Sequence, residues 1–195
     1  MKKLILGLFL AVSVLSFSAE RILSYEETFL DKKTGIVYAI GEETPYTGVV
    51  ENYKFLIKDR VLEGRVIFKN GLMEGTFKLL YPSGKTASIA TFKNGKAEGS
   101  VRKYYPSGKI QSKENYKNGV EDGINIIYYE NGNIEYEKNV TNNGETVYAK
   151  HYYPSGKIDF ESTYKNGKLN GEVKKYGENG EVIQELIYKN GVRVK

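Results

Sequence analysis

The sequence predicts an all-β protein: an elongated antiparallel meander of β-hairpin repeats, with a period of about 24 residues, that follows a helical N-terminal signal segment. Three observations predict this fold. The 195 residues include 17 Tyr and 21 Gly, a composition that favours strands and turns. A glycine-centred motif recurs at a fixed spacing along the chain. Turn signals also recur every 10 to 14 residues, which is too close for helices.

The first 19 residues have the three-part layout of a secretory signal peptide. A basic start at residues 1–3 precedes an apolar run at residues 4–15, and small residues follow. The run is shorter than the ~20 residues that a membrane-spanning helix needs. The layout predicts export to the periplasm, the cell surface or the medium, with cleavage after Ser18 or Ala19. An uncleaved N-terminal anchor is the alternative.

The remaining chain divides into two predicted segments. Residues 20–43 form an N-terminal lead or cap, because residues 20–33 do not fit the period. Residues 44–195 form the repeat domain. Strands in a sheet lie about 4.8 Å apart, so about a dozen short strands predict a sheet roughly 50–60 Å long. Such a sheet is expected to bury no deep globular core and to depend on contacts between neighbouring repeats.

Two series of glycines define the repeat. Those of Tyr-Pro-Ser-Gly-Lys and its variants are spaced by 24 residues and are Gly84, Gly108, Gly132, Gly156 and Gly180. Those of Lys-Asn-Gly and its variants are spaced by 23 to 25 residues and are Gly71, Gly95, Gly119, Gly144, Gly167 and Gly191. Each unit therefore contains two turns and two strands of six to nine residues, which indicates a stacked architecture.

The two turn sequences predict two turn types. Asn-Gly tolerates a positive φ at both central positions, as the type I′ hairpin turn requires. Pro-Ser-Gly presets the first turn position and ends on a residue that accepts the left-handed conformation, which predicts a type I turn with a bulge. Glu-Asn-Gly replaces Pro-Ser-Gly at residues 130–132 and 178–180 and keeps the glycine.

Strand residues align into columns across the repeats. One column contains Thr86, Ile110, Ile134, Ile158 and Val182, and another contains Phe92, Tyr116, Val140, Tyr164 and Tyr188. The columns are six positions apart, so strict alternation predicts that they share one face. The opposite face is then expected to carry Glu137, Glu161 and Glu185.

The repeat resembles a known family. Residues 99–123 contain Gly-x5-Tyr-Pro-Ser-Gly-Lys followed by Tyr-Lys-Asn-Gly-x3-Gly, which is similar to the bacterial variant of the MORN repeat. The resemblance extends over about residues 44–195. It implies a repeat protein with no shared catalytic residues, and relatives of this type are often labelled YwqK-type antitoxins. MORN repeats elsewhere are linked to lipid and protein binding, which the resemblance implies as partners here.

The candidate binding site is a strip of aromatic and basic side chains. The first tyrosine column is Tyr104, Tyr128, Tyr152 and Tyr176. The basic residues two positions earlier, on the same face, are Arg102, Lys150 and Lys174. Lys78 belongs to the same basic column, and Ile126 interrupts it. Rings with hydroxyls beside cations suit a protein surface, a glycan or an anionic lipid. The structural alternative is that stacked tyrosines hold the hairpins together and the lysines keep the sheet soluble. A second column, Tyr81, Tyr105, Tyr129 and Tyr153, is expected on the opposite face.

The composition leaves little support for catalysis. The chain has no Cys and one His, His151, which excludes thiol nucleophiles and makes a multi-histidine metal site untenable. Glu137, Glu161 and Glu185 are expected about 10 Å apart on successive hairpins, without a cleft to raise an acid's pKa. We therefore expect no catalytic residues, no cofactor and no metal. Removal of Lys2 and Lys3 lowers the formal charge from +5 to +3, which is too weak to indicate nucleic acid.

Three functions remain, in order of preference. The first is an exported, non-enzymatic repeat protein that acts as a binding or scaffold module for a protein, glycan or envelope partner, with an unknown protein as the preferred partner. The second is an antitoxin or immunity protein that covers a toxin with one face of its sheet, although a cytoplasmic antitoxin would not need export. The third is an exported glycan-active enzyme.

Overall fold

The computed structural model describes residues 20–57, 60–141 and 145–195. The expected helical signal segment, residues 1–19, lies outside the described residues, as do residues 58–59 and the insertion at residues 142–144. Within the described ranges no helix is long and apolar enough to cross a membrane.

The described chain is built almost entirely from strands. They are Ile22–Ser24 (β1), Thr28–Asp31 (β2), Ile36–Ala39 (β3), Gly48–Ile57 (β4), Arg60–Lys69 (β5), Leu72–Met73 (β6), Gly75–Leu80 (β7), Thr86–Lys93 (β8), Lys96–Ala97 (β9), Gly99–Tyr104 (β10), Ile110–Lys117 (β11), Val120–Glu121 (β12), Gly123–Tyr128 (β13), Ile134–Thr141 (β14), Thr146–Tyr152 (β15), Ile158–Lys165 (β16), Lys168–Tyr176 (β17), Val182–Lys189 (β18) and Val192–Arg193 (β19). A single 3₁₀ turn, Tyr25–Glu27, follows β1.

Seventeen of these strands form one sheet, and β2 and β3 form a separate hairpin. From β4 to β18 each long strand pairs antiparallel with the next long strand along the chain. β1 adds parallel to β4 at the N-terminal end. The predicted all-β meander of hairpins is therefore confirmed.

The hydrophobic core lies at the N-terminal end of the sheet. Val37 and Ala39 of β3 and the nearby Tyr46 pack with Val50 and Val66 of the first long hairpin, and all five are buried. Fully burying one valine side chain stabilises a fold by about 1.5–3 kcal/mol. The expectation of no deep core is wrong at this end, because the residues before β4 fold back over the first strands of the sheet.

The turns adopt the two predicted types. Asn94 and Gly95 have φ of 49° and 74°, and the Asn-Gly pairs at 70–71, 118–119, 166–167 and 190–191 share this left-handed geometry. In the Pro-Ser-Gly turns the N–H of Gly84 donates to the carbonyl of Tyr81 at 2.8 Å, and Gly84 has a φ of 79°. Both turn types thus use glycine where an L side chain would be strained.

The Asn-Gly turns at residues 94–95 and 118–119 are also tied to the preceding repeat. The carboxylate of Glu74 accepts from the backbone N–H of Asn94 at 2.8 Å, and Glu98 accepts from Asn118 at the same distance. The N–H of Gly119 donates to the carbonyl of Ala97 at 2.9 Å. These bonds join neighbouring hairpins at one margin of the sheet, in addition to the strand ladder.

The two faces of the sheet differ from the sequence prediction. Lys103 pairs with Ser112 but Tyr104 pairs with Ile110, so a bulge at Gln111 adds one residue to the long strand. The bulge recurs in the later hairpins. Residues that are six positions apart across the bulge therefore lie on opposite faces of the sheet. The prediction that the isoleucine column and the Tyr116 column share a face is wrong.

We name the faces by their residues. The tyrosine face carries Tyr104, Tyr128, Tyr152 and Tyr176 with their cross-strand partners Ile110, Ile134, Ile158 and Val182. The core face carries the buried side chains Phe77, Val101, Asn125, Ala149 and Val173. Glu137 pairs with Ile126 and Lys150, which places the glutamate column on the tyrosine face beside the isoleucines and opposite the Tyr116 column.

Candidate functional site

The first tyrosine column forms a continuous row with the isoleucines. Each of its tyrosines ends a strand and pairs with the first residue of the next long strand, as Tyr104 does with Ile110. The row therefore alternates an aromatic ring with a branched aliphatic side chain at each strand crossing. All four tyrosines are half-buried, so part of each side chain remains accessible to solvent.

The second tyrosine column holds the repeats together. The hydroxyls of Tyr81, Tyr105, Tyr129 and Tyr153 donate to the carbonyls of Tyr104, Tyr128, Tyr152 and Tyr176 at 2.5–2.7 Å. Each bond spans one repeat and meets a half-buried backbone acceptor. The next position in this series is Gly177, which has no hydroxyl to donate.

Among the described residues, no tyrosine of the first column donates its hydroxyl to a backbone carbonyl of the next repeat. In the described ranges the hydroxyls of Tyr104 and Tyr128 have no protein hydrogen-bond partner, whereas Tyr176 donates to the carboxylate of Glu161 at 2.6 Å. Burial raises the pKa of Tyr152, and the nearby carboxylate of Glu137 raises it further. The structural interpretation therefore applies to the second column, whereas in the first column Tyr104 and Tyr128 keep their hydroxyls available.

The predicted basic strip is interrupted by carboxylates. Lys150 lies between Glu137 and Glu161, and Lys174 pairs with both Glu161 and Glu185, because antiparallel pairing inserts the glutamate column between the lysines. The Nζ of Lys150 is 2.9 Å from Glu161 Oε1, and that of Lys174 is 2.8 Å from Glu172 Oε2. These lysines are thus neutralised by neighbours on the sheet.

The pKa shifts agree with this pairing. The hydrogen bond from Tyr176, followed by that from Lys150, holds the pKa of Glu161 below its ordinary value. The bond to Glu161 raises the pKa of Lys150, and the bond to Glu172 raises that of Lys174. The shifts keep Glu161, Lys150 and Lys174 in their charged forms at neutral pH. Because these pairs are partly exposed to solvent, they contribute little to stability.

Arg102 has a different environment from the other predicted cations. It pairs with Ile89 on one side and with Lys113 on the other, and neither neighbour is acidic. Among the described residues no carboxylate lies within 4.0 Å of Lys78, Arg102 or Lys113. The structure therefore brings the three predicted basic residues Arg102, Lys150 and Lys174 onto one face, but leaves only Arg102 unpaired among them.

The same face carries an open groove of about 390 Å³. Lys150, Glu161, Tyr148 and Thr163 contribute to its walls. It lies between strands on the surface of the sheet, and its side chains are polar on both sides.

Comparison with protein families gives a match along most of the repeat region. The family described as MORN repeat variant matches residues 73–94, 97–118, 121–142, 146–166 and 169–190. The chain belongs to this family. Four of the five matched MORN segments end at the Asn of an Asn-Gly turn that the structure describes, so the sequence repeat and the hairpin repeat coincide there. A search of curated proteins finds no match.

MORN repeats make binding or scaffold modules and are typically non-enzymatic. The match begins at residue 73, so the bounds predicted for the repeat domain, 44–195, and for the cap, 20–43, stay predictions. The antitoxin-type role also stays a prediction.

The geometry of this MORN sheet gives little support to carboxylate catalysis. A general acid needs a raised pKa, whereas the pKa of Glu161 is lowered by its partners. His151 is exposed on the core face, and its ring centroid lies 4.5 Å from that of Tyr136. In the part of the chain that the structure describes, no group of three or more His, Asp or Glu side chains is placed to hold a metal ion.

Lys113 is the residue that sequence reasoning missed. It occupies the position that Glu137, Glu161 and Glu185 occupy in the later MORN repeats. The signal was present in the aligned repeats as a change from glutamate to lysine at one column. It could be interpreted only after the pairing had shown that this column lies next to Arg102.

Proposed function

We propose that the protein is an exported, non-enzymatic binding module that holds a protein partner along its tyrosine face. The observation that carries this proposal is the contrast between the two tyrosine columns. Tyr105 and its equivalents use their hydroxyls to join repeats, whereas Tyr104 and Tyr128 keep theirs unpaired on a half-buried row. A rigid ring with an available hydroxyl gives large contact area at low conformational cost.

The shape of the face favours a macromolecular partner. The rows of side chains on the tyrosine face continue over many strands, and the groove on this face is open rather than walled. Small-molecule sites are usually concave and mainly apolar. An extended row of alternating tyrosine and isoleucine instead suits a surface that makes many shallow contacts at once.

Export is part of the proposal and is supported by the sequence of residues 1–19. Fusing residues 1–24 to a reporter that is active only outside the cytoplasm should give activity, and the mature protein should begin at Ala19 or Glu20. Recovery of the protein from the cytosol with Met1 intact would refute export.

The binding proposal is tested by making the same chemical change in both tyrosine columns. The tagged full-length chain is expressed in its native host, crosslinked, and its partners are quantified by mass spectrometry. Tyr104→Phe with Tyr128→Phe should lower recovery of the partner at least threefold with unchanged stability, since each lost hydrogen bond contributes about 0.5–1.5 kcal/mol.

Tyr105→Phe with Tyr129→Phe is the matched control. It should lower the unfolding midpoint while leaving partner recovery unchanged at temperatures where the variant is folded. Equal recovery from the Tyr104/Tyr128 variant and the wild type would show that the tyrosine face is not the binding surface.

A further inference from the structure

The central row of the tyrosine face changes character along the sheet. Towards the C-terminus it consists of alternating charges, and its members in spatial order are Glu137, Lys150, Glu161, Lys174 and Glu185. Towards the N-terminus the same row consists of Lys78, Ile89, Arg102, Lys113 and Ile126. We call these last five residues the cationic segment.

The cationic segment contains a cross-strand pair that the rest of the row avoids. Arg102 and Lys113 lie directly opposite each other on β10 and β11. Like charges in this arrangement destabilise a sheet, whereas the equivalent pairs Lys150–Glu161 and Lys174–Glu185 are attractive. Among the five hairpins that the structure describes along this row, only β10–β11 pairs two like charges, and this pairing weakens the hairpin.

Apolar side chains surround the unpaired cations. Ile89 lies between Lys78 and Arg102, and Ile126 lies beyond Lys113. The Nζ of Lys113 is 5.8 Å from the ring centroid of Tyr128, which holds this ammonium group over the tyrosine row. A partner that covers these apolar side chains would exclude water and strengthen its attraction to the three cations.

We propose that the cationic segment is the docking surface for an acidic, extended segment of the partner protein. This inference rests on the proposed function and narrows it to one part of the tyrosine face and one partner chemistry. Carboxylates of the partner would lie between Arg102 and Lys113 and beside Lys78. Its apolar side chains would contact Ile89, Ile126 and the first two rings of the tyrosine row.

The charge distribution favours a short acidic segment over a flat anionic surface. A flat anionic membrane laid along the tyrosine face would also meet the carboxylates of Glu137, Glu161 and Glu185, which would repel it. An extended peptide places side chains of one face about 6.6–6.8 Å apart, so two or three acidic residues suffice to reach the three cations.

The test uses a fluorescent twelve-residue peptide that alternates Glu with Val, and the same peptide with Gln in place of Glu. Anisotropy is measured with the full-length chain at low and moderate salt. The Glu peptide should bind at least tenfold more tightly than the Gln peptide, and binding should weaken with salt. Arg102→Gln with Lys113→Gln should weaken Glu-peptide binding at least tenfold.

The matched control is Lys150→Gln with Lys174→Gln, which removes two cations from the paired part of the same row. It should change the affinity less than twofold, and urea unfolding confirms that both variants are folded. Equal loss in both variants, no preference for Glu over Gln, or binding only to vesicles of anionic lipid would overturn the inference. If partner capture in the native host needs Tyr104 and Tyr128 but not Arg102 and Lys113, the inference fails while the proposed function stands.

Discussion

Tyrosine has two separate roles in this sheet, and its hydroxyl partner distinguishes them. The hydroxyl of Tyr105 donates to the carbonyl of Tyr128, one repeat away, and burial raises the pKa of Tyr105. Tyr104, its neighbour in sequence, makes no such bond in the described part of the chain. Adjacent residues of the same type can therefore contribute unequally to stability.

Tyr105→Phe is expected to lower the free energy of unfolding by about 1–3 kcal/mol, because it leaves a half-buried carbonyl without its donor. Tyr104→Phe should change it by less than ~0.5 kcal/mol. Urea unfolding followed by circular dichroism measures both values. Equal effects of the two substitutions would contradict the assignment of the structural role to the second column.

A second residue-scale feature lies on the core face, around Glu114. Its carboxylate accepts from Lys103 at 2.8 Å, from Ser112 at 2.7 Å and from Tyr116 at 2.9 Å. Burial alone would raise the pKa of Glu114, but these hydrogen bonds together hold it below its ordinary value of 4.5. Burial, together with the hydrogen bond to Glu114, raises the pKa of Tyr116.

Glu114 should therefore stabilise the fold in a pH-dependent way. A lowered carboxyl pKa contributes stability that is complete above the unfolded-state value and is lost as pH falls through the folded-state value. Glu114→Gln should destabilise the protein at pH 7, and the difference from the wild type should shrink below about pH 4.5. A difference that stays constant from pH 7 to pH 3 in urea titrations would show that the charge of Glu114 is not stabilising.

At the scale of the element, the hairpins share one backbone but differ in charge. In β15–β16 the central pair on the tyrosine face is Lys150 with Glu161, whereas in β10–β11 it is Arg102 with Lys113. Because the turns and the bulge are the same, the two hairpins can be compared directly. On that face the two hairpins differ in the charge of the central pair and in the flanking pair, which is Ser100 with Asn115 in β10–β11 and Tyr148 with Thr163 in β15–β16.

Reversing one charge in each hairpin should have opposite effects on stability. Arg102→Glu creates an attractive pair with Lys113 and should stabilise the protein by about 0.2–1 kcal/mol. Lys150→Glu places three carboxylates in a row with Glu137 and Glu161 and should destabilise it by a similar amount. Thermal unfolding at low and high salt measures both effects, which should diminish as salt rises. Destabilisation by Arg102→Glu would contradict the claim that its hairpin is electrostatically unfavourable.

The sequence was sufficient to predict the hairpins but not their faces. Asn94-Gly95 and Pro82-Ser83-Gly84 carry their turn types in their own residues, so period and strand order followed from them. The bulge at Gln111 has no comparable signal, because its side chain does not differ from an ordinary strand residue. The bulge shifts the alternation of side chains between the two faces by one residue. The neighbours of Lys150 on its face therefore could not be identified from the sequence.

The packing of the predicted cap, residues 20–43, was the other part that the sequence could not supply. Residues 20–33 do not fit the period, and the cap packs through contacts distant along the chain. The N–H of Gly71 donates to the carbonyl of Tyr46 at 2.6 Å, and the N–H of Val37 donates to the carbonyl of Gly71 at 3.0 Å. A turn of the repeat is thus a docking point for the cap, which no local pattern indicates.

At the scale of the whole molecule, the repeats form one continuous sheet that displays rows of side chains. The buried cluster is confined to the capped N-terminal end, and further along the chain neighbouring repeats are joined by strand pairing, turn contacts and the tyrosine hydroxyls. The functional proposal depends on this arrangement, because a row can present a surface only if its members remain on one uninterrupted face.

The most direct test measures the length of the central row with spin labels, since the chain has no natural cysteine. Lys78→Cys and Lys174→Cys lie on the tyrosine face eight strand spacings apart, which predicts a separation of about 38 Å. The pair Lys150→Cys and Lys174→Cys, two spacings apart, serves as the short reference at about 10 Å. A distribution centred near 35–40 Å for the first pair would support the continuous sheet, whereas one centred below ~20 Å would show that the repeats fold onto each other and would contradict the account.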